Sequence, residues 1–174
     1  RIVAVLGGGH GGHTAAADLA LAGYDVRLYE SPEFAGNMKK VMETREIKID
    51  GASRNGVAQL ALVTTDMAEA VRGADTIFVI VPAFAHKPLA MELAEHVEDG
   101  QTIAILPGTF GSLVFARIFA EKGVLDKVVF AETSTLPYDT RLQEPGHVTV
   151  HGLNLPLFFG VFPSEKTDET LEKL

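Results

Sequence analysis

The stretch Ile2-Val3-Ala4-Val5-Leu6-Gly7-Gly8-Gly9-His10-Gly11-Gly12-His13-Thr14 decides how the chain is read. Its five leading residues are an uninterrupted apolar run, short enough for a strand; at Ile77 to Val81 a run of the same kind, without polar alternation, has the pattern of a parallel strand covered on both faces. Gly7, Gly9 and Gly12 then fall in the G-x-G-x-x-G spacing immediately after that strand. In this spacing Gly7 permits the tight turn, Gly9 lets a pyrophosphate approach the backbone, and Gly12 lets the following helix pack closely on the strand. The anion sits on the helix N-terminus, where free N–H groups and the helix dipole favour negative charge. His10 and Gly11 lie inside the same turn and join the cofactor-binding candidates. The next strand pattern, Tyr24 to Tyr29, ends at Glu30, 18 residues beyond Gly12. A carboxylate accepting from adenosine ribose hydroxyls belongs at that position. Ser31-Pro32 follows with no arginine to neutralise a 2′-phosphate, so the pattern favours NAD(H) over NADP(H).

Similar apolar runs recur at Val26 to Tyr29, Thr76 to Val81, Thr102 to Leu106 and Lys127 to Ala131. Between them, segments with helical spacing occupy Gly12 to Ala22, Met67 to Arg72, Pro88 to Val97 and Ser112 to Lys122. Such alternation predicts an α/β fold, a doubly wound and mostly parallel sheet of the Rossmann type. Two regions break the rhythm. Glu46 to Val63 reads as a hairpin-like insertion, with arms at Ile47 to Ile49 and Leu60 to Val63. Beyond Pro145, His147 to His151 and Leu157 to Phe162 read as antiparallel strands completing the sheet edge near the C-terminal end. The expected organisation is a dinucleotide-binding domain over 1–163, with 164–174 opening a helix that connects to a further domain.

Composition narrows the function classes. The 174 residues are 47% hydrophobic and carry a formal charge of −8, which argues against nucleic acid or anionic lipid as a partner. There is no cysteine, so thiolate metal sites and thiol catalysis are excluded, and a cytoplasmic location is expected. No apolar run approaches the roughly 20 residues needed to span a bilayer.

In doubly wound sheets the ligand crevice lies at the carboxyl ends of the strands. Val81-Pro82-Ala83-Phe84-Ala85-His86 and Leu106-Pro107-Gly108-Thr109-Phe110-Gly111 follow two of the runs. Pro82 fixes a turn against which a ribose or nicotinamide can lie, and Gly108 and Gly111 clear space around it. Val81, Pro82, Ala83, His86, Pro107 and Gly108 are therefore cofactor-side candidates, with His86 a neighbour of the cofactor rather than a proton donor. After the run ending at Ala131, Glu132 to Arg141 gathers hydroxyls, a carboxylate and a guanidinium. Arg141 either grips a substrate carboxylate in a bidentate fork or pairs with Asp139 or Glu144. None of the six histidines forms a metal-ligand pattern; His96 reads as a solvated helix residue, and His147 and His151 as strand residues.

Four blocks resemble the N-terminal domain of the opine (octopine) dehydrogenases: residues 7–14, Val81 to His86, Pro107 to Gly111, and Glu132 to Arg141. One departure is His10, where the family usually has asparagine. The resemblance implies NAD(P)H-dependent reductive condensation of an α-keto acid with the amine of an amino acid, an oxidoreductase acting on CH-NH bonds. It implies cofactor contacts at Gly7, Gly9, Gly12, Glu30, Pro82 and Ala83, and substrate-side roles for Glu132 and Thr135. It also puts the catalytic histidine and its partner acid in a C-terminal helical domain, so no catalytic residue is assigned in this chain. A homodimer is compatible with this reading. Alternatives left open are the nucleotide domain of a glycerol 3-phosphate or ketopantoate type of dehydrogenase, a non-catalytic NAD(H)-sensing module, and FAD in the same turn.

Overall fold

A computed structural model describes residues 1–174. Its strands are β1 (Ile2–Leu6), β2 (Asp25–Tyr29), β3 (Glu46–Gly51), β4 (Gly56–Gln59), β5 (Leu62–Thr64), β6 (Thr76–Val79), β7 (Gln101–Ile105), β8 (Val128–Thr133), β9 (Tyr138–Glu144), β10 (His147–Leu153) and β11 (Phe159–Phe162). Its helices are α1 (His10–Leu21), α2 (Lys39–Thr44), α3 (Met67–Val71), α4 (His86–Leu93), α5 (Gly111–Glu121) and α6 (Thr167–Lys173). Side chains alternate across a strand, and in β1 this sends Ala4 and Leu6 into one core and Val3 and Val5 into another. The unbroken apolar run at the start of the chain thus marks a strand buried on both sides.

The main sheet has the order β11-β8-β7-β6-β1-β2-β5. All of its pairings are parallel except β11 with β8. From β1 the chain winds outward through β2 and β5, then crosses back to β6, β7 and β8. The order therefore reverses between β1 and β6, and a crevice opens where their carboxyl ends diverge. One face carries the core built on α3, α4 and α5, where Phe115, Phe119 and Phe130 pack at ring-centroid distances of 5.2–6.3 Å.

The other face carries α1, and over α1 lies a second sheet, β4-β3-β10-β9. The helix is enclosed on both sides, with residues 11–18 all buried. Its composition answers that constraint, because Gly11, Gly12, Ala15, Ala16 and Ala17 leave room for a sheet above and below. The polar residues His10, Thr14 and Asp18 recur every fourth position and so share one helix face. Each meets the second sheet. The Leu142 N–H donates to His10 Nδ1 at 2.7 Å, and the Thr14 and Thr140 hydroxyls are 2.7 Å apart. The Tyr138 phenol and Arg54 Nη1 donate to Asp18 Oδ2 at 3.1 and 3.0 Å. Burial, with Asp18 beside it, holds the Tyr138 phenol above its ordinary pKa and so keeps it a donor.

Several expectations need correction. The insertion does contain an antiparallel hairpin, but β3 pairs with Gly56–Gln59, with Glu46 opposite Gln59. The run at Leu60 to Val63 instead contributes β5, the parallel edge of the main sheet beside β2. Of the two C-terminal strands, only Phe159–Phe162 completes that sheet. The strand containing His147 to His151 pairs parallel with β3 and antiparallel with β9, in the second sheet. The last four residues of the polar substrate-side stretch, Tyr138 to Arg141, belong to a strand, Tyr138–Glu144. Non-local pairing decides all of these, and strand pattern alone does not name the partner.

Candidate nucleotide-binding site

The glycine turn closes because residues that lack Cβ stand where one would not fit. Gly7 adopts φ +116°, and a Cβ there would strike the Ile80 carbonyl. A Cβ on Gly12 would overlap the Gly7 carbonyl oxygen, so the first turn of α1 sits directly on the end of β1. Gly9 is different: an added Cβ would meet no protein atom within 4 Å, because that side of the turn faces the crevice. Gly9 is the N-cap of α1 and supplies no side-chain cap to the helix. The four N–H groups at a helix start have no intrahelical partner, so an uncapped end facing open space is suited to an anion. His13 is fully buried beneath this turn and its Nδ1 lies 3.1 Å from the Gly9 carbonyl. Burial lowers its pKa, so the ring adds no charge to the site.

A cleft of about 580 Å³ runs from Gly7–Gly9 past the end of β2 to α4. Glu30 stands at its rim, held from two sides. The Gly8 N–H donates to its Oε2 at 2.8 Å, and the Ser31 N–H to its Oε1 at 2.8 Å. A carboxylate offers about four acceptor positions, so two of them remain for hydroxyls of a ligand. The walls include Phe34, Pro88 and Leu89, and the charged lining residues are Glu30, Glu33 and Glu92, with no lysine or arginine. The buried Tyr29 phenol donates to both oxygens of Glu92 at 3.0 Å. Burial first, then Glu92, raises the phenol above its usual pKa, so it stays protonated.

A second cleft, about 380 Å³, lies on the other side of the Ile80–Pro82 segment and is lined by His10, Gly11, Ala83, Pro107, Thr109 and Leu136 among others. Gly9, Ile80, Val81 and Pro82 border both spaces, which together form one crevice over the ends of β1 and β6. Of the candidates read from the sequence, Gly7, Gly9, His10, Gly11, Glu30, Val81, Pro82, Ala83 and Pro107 line this crevice. Gly12 supports the turn from beneath.

The remaining candidates stand elsewhere. His86 is 4% exposed, with its ring edge-on to Phe115 and against Gly111, so it braces the crevice wall from behind. Gly108 abuts Glu132, whose side chain leaves no room for a Cβ there. Glu132 accepts from the Ser112 N–H at 2.9 Å and the Phe110 N–H at 3.3 Å. It therefore caps α5, and in this geometry its oxygens are turned to that helix rather than to a substrate. Thr135 is exposed outside both clefts. Arg141, on β9, points at Asp139 across 3.9 Å and bonds the Thr140 carbonyl, the pairing alternative rather than an open fork. The sequence reading missed Tyr29, Phe34, Glu92 and Leu136. Tyr29, Phe34 and Glu92 belong to no motif, and only their position relative to strand ends could have suggested them; Leu136 lies within the Glu132 to Arg141 block but is apolar among its polar residues. For His10 it left the role open; the structure gives it the bond to Leu142, which an asparagine carbonyl could equally accept.

The two glycines predict opposite outcomes. Gly12→Ala should cost about 3 kcal/mol or more in urea denaturation, because backbone must move. Gly9→Ala, with φ −79° and open space ahead, should stay within about 0.5 kcal/mol of wild type. Equal losses would contradict this geometry.

Comparison with known proteins agrees with the architecture. Residues 2–131 match the family model described as the NAD-dependent glycerol-3-phosphate dehydrogenase N-terminus. An opine dehydrogenase of Arthrobacter sp. (strain 1C) is 36% identical over 175 residues, covering 100% of this chain and 48% of that protein. An octopine dehydrogenase of Mizuhopecten yessoensis is 30% identical over 152 residues, covering 83% of this chain and 38% of that one. The solved structure of octopine dehydrogenase in complex with NADH and agmatine superposes with a TM-score of 0.82 at 26% identity, over 92% of this chain and 42% of its own. The chain thus spans less than half the length of these relatives. It belongs to the family of the NAD-dependent glycerol-3-phosphate dehydrogenase N-terminus, and its likeness to the opine dehydrogenases, expected from four sequence blocks, extends beyond residue 131 to the whole chain.

Proposed function

We propose that this chain is the NAD(H)-binding domain of an opine-type dehydrogenase, one that reductively joins an α-keto acid to the amine of an amino acid. The observation that carries the proposal is the uncapped N-terminus of α1 opening on a crevice at the sheet's switch point, with Glu30 pinned at its rim. When bound, the nicotinamide supplies or accepts a hydride, while the protein binds, orients and shields it. In this reading the Gly7–Gly12 turn holds the diphosphate and Glu30 accepts from the adenosine ribose. Val81, Pro82, Ala83 and Pro107 then wall the second cleft, where the nicotinamide half would lie. Residues 1–163 form the nucleotide domain, and 164–174, with α6, begin the connection to a helical domain that supplies the catalytic acid and base. We place the protein in the cytoplasm. No helix is long and apolar enough to cross a membrane.

The preference for NAD(H) over NADP(H) follows from charge. A 2′-phosphate would enter a cleft lined by three carboxylates and no cation. A like-charge pair at about 4 Å near a protein surface costs on the order of 4 kcal/mol before screening. Calorimetry should therefore show NADH binding at least about tenfold tighter than NADPH, a difference of about 1.4 kcal/mol. Glu30→Ala should weaken NADH and relieve NADPH, shrinking that ratio. Equal affinities in wild type would overturn the assignment.

A second reading, the nucleotide domain of a glycerol 3-phosphate type of enzyme, is favoured by the family model over residues 2–131. The opine reading is supported by the likeness that continues through β9 and β10. Substrate choice separates them. NADH oxidation by the protein bearing this domain should require pyruvate and an amino acid together; NAD⁺ reduction by glycerol 3-phosphate alone would favour the second reading.

A further inference from the structure

On the α4 wall of the larger cleft stands a carboxylate whose placement needs a reason. Glu92 lines that cleft from α4, and it forms no ion pair. Its side chain has one hydrogen-bond partner, the Tyr29 phenol, which spans both oxygens at 3.0 Å. Tyr29 is 1% exposed and rigidly placed at the end of β2, so it fixes the direction of the Glu92 head group. A partly buried carboxylate with no cation beside it is costly unless donors satisfy its remaining lone pairs. The phenol fills only part of an acceptor capacity of about four. Glu92 shares its cleft with Phe34, Pro88 and Leu89, apolar walls suited to a flat ring. Glu30, on the same cleft, marks the sugar end.

We propose that Glu92, oriented by Tyr29, accepts a hydrogen bond from the exocyclic amino group of the adenine base and is the base-specificity residue of the site. This rests on the dinucleotide reading above and goes beyond it by naming the group that reads the base. An ionised carboxylate only accepts hydrogen bonds. It therefore favours a base whose outer edge carries an amino donor and opposes one that carries an oxo group there, where lone pairs would face lone pairs. A site built to bond a polar group rejects the analogue lacking it far more strongly than an apolar wall can. A glutamine at the same position offers both a carbonyl and an amide N–H, and loses that asymmetry.

The test is a binding titration of NADH against its deaminated analogue, reduced nicotinamide hypoxanthine dinucleotide, which differs only in that amino group and the adjacent ring nitrogen. Wild type should bind NADH at least tenfold tighter, and Glu92→Gln should bring the two affinities within about threefold of each other. Tyr29→Phe frees the carboxylate while keeping the ring, and should also lower the ratio. If Tyr29→Phe weakened both ligands in parallel with the ratio unchanged, the orienting role of Tyr29 would be overturned. Equal affinities in wild type, or a ratio untouched by Glu92→Gln, would overturn the role of Glu92 while leaving the dinucleotide site standing. Failure of wild type to bind either nucleotide would remove the dinucleotide reading, and this inference with it.

Discussion

A helix enclosed between two sheets is the constraint on which the rest of the structure depends. Burial on both sides forces small residues along the middle of α1 and leaves its first residue, His10, exposed at the ends of β1 and β6. The second sheet grips it through His10, Thr14 and Asp18, so the helix that presents N–H groups to the crevice cannot tilt away from it. Fixed donors need no reorganisation to receive an anion, which is what a strong and directional phosphate site requires. The overall charge of −8 is no obstacle, because the attraction is local.

The helices flanking the crevice divide the work. The N-terminus of α5 is capped by Glu132, reaching over from β8, whereas α1 carries no side-chain cap at all. Two helix ends point into the same region, yet only one remains available to a ligand. His86 and Gly108 serve this arrangement from behind: the His86 ring stands against Gly111 at the start of α5, and Gly108 leaves room for the Glu132 side chain. Residues that look like cofactor contacts in a linear motif are, in three dimensions, the frame that keeps the crevice wall in place.

The parallel strands and the glycine turn were legible in the sequence because each depends on neighbours close along the chain: the apolar runs at Ile2 to Leu6 and Ile77 to Val79, and glycines where backbone crowds backbone. The second sheet was not. It joins β3 to β10, with Lys48 opposite His147, and a pairing that distant leaves no local signature. Its pieces were visible as a hairpin after Glu46 and a strand at His147, and the four-residue spacing of His10, Thr14 and Asp18 marks the helix face they cover, but nothing joined them into one sheet. In the site, Glu30 could be found from its distance to the glycines. Glu92 could not, since nothing in the sequence says that α4 leans over the end of β2. Arg141 carried chemistry by residue type and Glu132 by family resemblance, and their partners, Asp139 and the α5 backbone, turn both toward structure.

The central claim is that a diphosphate rests on the Gly7–Gly12 turn with the adenosine sugar at Glu30. A crystal structure of the protein grown with NADH tests it most directly. Phosphate oxygens should stand over the first N–H groups of α1, with ribose hydroxyls within hydrogen-bond reach of the Glu30 carboxylate. Nucleotide bound away from the ends of β1 and β6, or a crevice that stays closed to it, would contradict a diphosphate site at this turn.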